Sequence, residues 1–159
     1  MEIDEFDLKL AYNELRQKYE LPEFEKMAED FDIEKAIEKE SVFLIREVRR
    51  AINEKILAYL HLFETLVNPS APPMFVFSLL RNIPVKDKNT IKETYKTLSK
   101  TQIEIMKLDT IYNINAEIKF INETFNMWQE LKPTIYKIIE NFESSFKEED
   151  TSKDRSYFG

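Results

Sequence analysis

Apolar residues recur along most of this chain at intervals of three and four, the spacing that gathers side chains on one face of an α-helix. Strict alternation, the mark of a half-buried strand, persists nowhere for more than a few residues. Leu8, Ala11, Tyr12, Leu15 and Tyr19 predict a first helix over 4–20. Leu21-Pro22 ends it, because the residue before a proline is pushed out of the α region, and Pro22 can open a short second helix carrying Phe24, Met27, Ala28 and Phe31. Asp32 then reads as the N-cap of a long helix over 32–67, with Ile37, Leu44, Ile45, Val48, Ile52, Ile56, Tyr59, Phe63 and Val67 on one broad face and Asn68-Pro69 as its stop. The stretches 42–45 and 56–63 are apolar beyond a single stripe, which predicts that this helix is contacted from more than one side and is the central one.

Ser70-Ala71-Pro72-Pro73 reads as a cap and first turn, followed by a short apolar helix over 74–83. Its start, Pro72 to Phe77, suits either a core plug or an exposed docking knob, and a short helix this apolar favours the core. From Asp87, read as a cap, a helix is predicted to 112 with Ile91, Tyr95, Leu98, Gln102, Ile105 and Tyr112 facing inward. Asn113 and Asn115 suggest a turn. Ile114, Ile118, Ile121, Phe125, Trp128, Ile135, Ile139, Phe142 and Phe146 then follow in near-heptad steps, predicting a last helix over 115–147 that Pro133 either kinks or restarts. The polar run 148–156 has no apolar face and reads as a mobile tail ending in Tyr157-Phe158-Gly159. The expected architecture is an all-α, up-and-down helical bundle in one domain, 1–147, with a flexible tail, 148–159.

Composition narrows the chemistry. Gly159 is the only glycine, His61 the only histidine, and there is no cysteine. Phosphate-cradling loops, dinucleotide turns and nucleophile elbows need glycine at positive φ or at close backbone approach, so those readings fall. Zinc knuckles, iron–sulfur sites and disulfide frameworks fall for want of ligands, and no cofactor is expected. A single His61-x-x-Glu64 cannot supply a di-iron bundle, so His61 reads as a surface or secondary packing residue. The start of the chain lacks the basic and apolar regions of a signal peptide, and no apolar stretch nears the ~20 residues that span a bilayer. The expectation is a cytoplasmic protein that does not enter the membrane.

Charge is uneven. The first 40 residues hold 14 acids against 6 bases, and residues 41–110 hold 11 bases against 7 acids, within a net charge of −7. The simplest expectation is that the two segments neighbour and neutralise each other. Lys88, Lys92, Lys96 and Lys100 fall at successive i+4 positions, with Lys107 in the same sector, and like charges so spaced repel by about 0.2–0.5 kcal/mol per pair. Either acids lie alongside or the row faces an anion. Arg46, Arg49 and Arg50 form a second basic cluster suited to bidentate phosphate or carboxylate contacts. The negative net charge, and the lack of interleaved exposed aromatics, argue against nucleic acid as partner.

Carboxylates supply one enzymatic reading. Glu2-x-x-Glu5 and Glu29-x-x-Asp32 resemble the Glu-x-x-Glu and Glu-x-x-Asp pairs by which the all-helical nucleotide pyrophosphohydrolases of the MazG type hold Mg²⁺. That resemblance implies a Mg²⁺-dependent nucleotide hydrolase with oxygen ligands from two helices, in competition with the reading of Asp32 as a cap. Otherwise the sequence points to a non-catalytic interaction or scaffolding module, acting through helix faces and through tail residues Tyr157 and Phe158 on a protein partner or a second copy. An anion or nucleic-acid binder using the lysine row is the alternative.

Overall fold

The helical periods of the sequence are realised directly. The computed structural model describes residues 5–35, 41–70, 72 and 74–156. Within them lie α1 (Glu5–Tyr19), α2 (Phe24–Phe31), a 3-10 turn (Ile33–Lys35), α3 (Ser41–Val67), α4 (Met74–Asn82), α5 (Val85–Thr110) and α6 (Ile114–Ser156). No strand occurs among the described residues. The fold is all-α, and α3 is the central helix, packed against α5 and α6.

Several boundaries differ from the expected ones, each for a local reason. Asp32 does not open the long helix. It closes α2 in the left-handed conformation, φ 55°, with its N–H donating to the Ala28 carbonyl, and a 3-10 turn follows it; residues 36–40 lie outside the described residues and α3 is described from Ser41. Asp87 is not the cap of α5 either: the helix starts at Val85, and the Pro84 carbonyl accepts from the N–H groups of Asp87 and Lys88. α5 ends at Thr110, and Asn113 caps α6, its side-chain oxygen accepting from the Ala116 N–H at 3.1 Å. Tyr112, placed inward by its spacing, is therefore beyond the helix and exposed. Pro133 lies inside α6, which runs on past Lys147 to Ser156, and Ile138 rather than Ile139 carries the buried stripe after Ile135. Residues 157–159 lie outside the described residues, so the tail aromatics Tyr157 and Phe158 do too.

The chain divides into two compact units. The first comprises Met1–Tyr59 and Leu98–Trp128, and buries Leu8, Tyr12 and Leu15 of α1, Phe24, Met27 and Phe31 of α2, Leu44 to Ile56 at helical spacing on α3, and Ile105, Ile121 and Trp128. Tyr12 shows how α1 is pinned to the turn that follows it. Its hydroxyl donates to the Pro22 carbonyl at 2.9 Å, its ring meets Phe24 edge-on at 5.6 Å, and burial pushes its phenol well above the usual range. Trp128, read as core, is core: its ring sits 5.2 Å from Tyr59 and 5.9 Å from Phe31. The second unit comprises Leu60–Thr97 and Gln129–Gly159, and buries Phe63, Leu66, Val76, Leu79, Ile91, Ile135 and Ile138. There the Asp87 carboxylate accepts from the Asn141 amide at 3.0 Å.

Candidate functional site

On α5 the buried stripe is Ile91, Leu98 and Ile105, one residue every seven. Ile103 and Met106 lie off that stripe and remain 54% and 60% exposed. Ile103 lines a groove of about 360 Å³ within the first unit, between α5 and α6, with Phe120, Met127 and the short side chains Thr101 and Thr124. Threonines at facing positions leave the space that larger residues would fill. Lys100, Glu104 and Glu123 form its rim. Lys107 pairs with Glu104 at 2.6 Å and Lys119 with Glu123 at 3.7 Å, all four side chains exposed, so these contacts lightly order the rim without closing it.

The outer face of α5 is cationic. At 3.6 residues per turn, Lys88, Lys92, Lys96, Lys100, Ile103, Met106 and Lys107 share about one third of the helix circumference. Glu93 and Glu104 fall at its edge and no acid falls inside it. Lys88, Lys92, Lys96 and Lys100 are all exposed, and among the described residues none forms an ion pair. Among the described residues, acids of the N-terminal arm pair within that arm: Glu25 with Lys9, Glu23 with Arg16 and Lys26, Asp32 with Lys35. The Lys9 ammonium beside Glu25 holds that carboxyl below its ordinary range.

The arginine cluster is dispersed by the fold. Arg49 is buried, with its guanidinium 2.8 Å from Asp109 and 3.4 Å from Glu117, so it serves as a counter-ion to those two carboxylates. Arg46 stacks over Tyr112 at 4.6 Å, and Arg50 pairs with Glu47. Glu117 is fully buried at the start of α6. Neither of its oxygens, nor Arg49 Nε, has a well-formed hydrogen bond. Burial pushes its carboxyl above the usual range, against Arg49 and Arg46, which lower it, and with Asp109, which raises it.

The carboxylates of the hydrolase reading are not brought together by anything the structure describes. Glu2 lies outside the described residues, as does the side chain of Glu5; Glu29 is exposed, and Asp32 is engaged as the α2 cap and by Lys35 at 3.5 Å. No group of three or more His, Asp or Glu side chains among the described residues could hold a metal ion. His61 is exposed on α3. The Pro72–Phe77 segment divides: Val76 is buried with Leu79, whereas Met74 and Phe77 face outward at 81% and 49%, Phe77 under the Arg81 guanidinium. No described helix is long and apolar enough to cross a membrane.

The chain matches no protein-family model, no curated protein and no solved structure. Geometry therefore carries the functional reading. The groove residues Ile103, Phe120 and Met127 were not singled out by sequence pattern. The signal that marks Ile103 is an apolar side chain standing outside the main stripe of an otherwise polar helix. A comparable signal marks Glu117, an acid set among Ile114, Ile118 and Ile121.

Proposed function

We propose that this protein is a non-catalytic helical interaction module, and that the α5/α6 groove of its first unit receives a helical segment of a partner. The observation that carries this reading is the groove itself, apolar along its floor at Phe120 and Met127, with Ile103 exposed in its wall. Fully burying such side chains gains about 1.5–3 kcal/mol each, and this fold leaves most of that gain unrealised on one side of one helix. Methionine is over-represented on adaptable binding surfaces, where an unbranched, polarisable side chain can repack against its occupant. The reading is tested by placing a photo-crosslinking amino acid at Ile103, and in a control at exposed Glu14, within cells that express the chain. Discrete crosslinked species are expected from position 103 alone. Equal crosslinking from both positions, or none from 103, overturns the groove as the working surface.

Lys88, Lys92, Lys96 and Lys100, which form no ion pair among the described residues, favour a second reading, an anion-binding face. Its mark is affinity for a polyanion that falls steeply with salt, since released counter-ions drive such binding.

A further inference from the structure

We infer that the occupant of the groove is α5 of a second copy of this chain, an inference that rests on the docking role proposed above. The charges that line the groove choose between occupants. Lys100 stands on its rim against Glu104 and Glu123, so an acidic helix meets two like charges and a basic one meets Lys100. A surface that carries both signs in the right order avoids both conflicts. α5 itself is such a surface. Lys100 and Glu104 lie one turn apart, about 6 Å along the axis, and exposed Ile103 stands between them in sequence. Two copies of α5 laid antiparallel, about a two-fold axis level with Gln102, set Lys100 of each against Glu104 of the other. The same rotation carries Ile103 to position 101 of the other copy. Thr101 lines the groove with Thr124, Phe120 and Met127, so Ile103 enters the space that the two threonines leave. Glu104 has room for a second cation, because Lys107 holds its Oε1 through an exposed contact and Oε2 is left to accept from the lysine of the second copy. A parallel pair sets Lys100 against Lys100 and Glu104 against Glu104, so the charges also fix the direction. The patch is its own complement, as a two-fold interface requires.

The test reads the mass of the purified full chain by sedimentation over a range of concentrations. A reversible monomer–dimer equilibrium is expected. Lys100→Glu and Glu104→Lys are each expected to weaken it at least about tenfold, because either change sets like charges face to face twice in the symmetric pair. Mixing the two variants is expected to restore the dimer, since position 100 of either chain then meets the opposite sign at position 104 of the other. Ile103→Ser is expected to weaken association as well. All three positions are exposed, and an unchanged helical circular-dichroism spectrum verifies the fold of each variant. A chain that stays monomeric at every concentration overturns the second copy as occupant; crosslinking from Ile103 to a different protein then leaves the groove standing, whereas none from Ile103 overturns both. A dimer indifferent to Ile103→Ser or to the charge reversals pairs through another face and overturns the inference, as does a mixture of the two charge variants that fails to associate.

Discussion

Arg49 and Glu117 show what one buried charge does to its neighbours. Removing the Arg49 guanidinium, as in Arg49→Met, leaves the Glu117 carboxyl buried without its nearest cation and is expected to cost about 3–5 kcal/mol in chemical denaturation. Glu117→Gln acts in the other direction. Its carboxyl titrates above the ordinary range when folded, so between the unfolded and folded values the native state holds the extra proton, and stability falls as pH rises through that window. The glutamine variant carries no such proton. It is expected to be at least as stable as the wild-type chain at neutral pH, and the gap between the two should close as pH falls below the ordinary carboxylate range. A gap that stays constant with pH removes burial as the dominant cause. None of this was legible in the sequence, where Arg49 stands with Arg46 and Arg50 as one cluster and its two carboxylates follow far downstream. A long-range ion pair leaves no local periodicity.

Elements were legible wherever a stripe of apolar residues ran for three turns or more, and their ends were not. Asp32 illustrates the difficulty: a short acidic side chain at the junction of two helical stretches suits the start of the second or the close of the first. The structure chooses the close, at φ 55°, and Glu20 after α1 adopts φ 54° as well. A chain without interior glycine thus makes, among the described residues, two left-handed turns with residues that carry a Cβ. Each costs about 1–2 kcal/mol relative to a residue free of that clash. Asp32→Gly is accordingly expected to raise stability by about 1 kcal/mol, the lost exposed pair with Lys35 mattering little. A melting temperature that falls instead shows the aspartate side chain to be the better cap. The groove belongs to this scale too, since it arises where Thr101 and Thr124 keep two helices from filling the space between them, and small polar residues give no apolar signal.

Across the whole molecule, the sequence was read as a single bundle, and the helical class, the central place of α3 and the break near Asn113 agree with that reading. The division into two units has no counterpart in composition, because it carries none of the proline-rich or polar linkers by which domain boundaries are recognised. It passes between Tyr59 and Leu60 in α3, Thr97 and Leu98 in α5, and Trp128 and Gln129 in α6. All three links are helix interior. A protease reaches exposed loops such as Asn68–Ser70 or Ile111–Asn113 first, and each such scission falls within one unit and leaves fragments that both hold pieces of the first and the second. Limited digestion is therefore expected to give shortened bands on a denaturing gel while the nicked protein still elutes from a sizing column with the intact chain. A freed fragment matching either unit is excluded by the path of the backbone: the two can be nicked, but no single cut parts them.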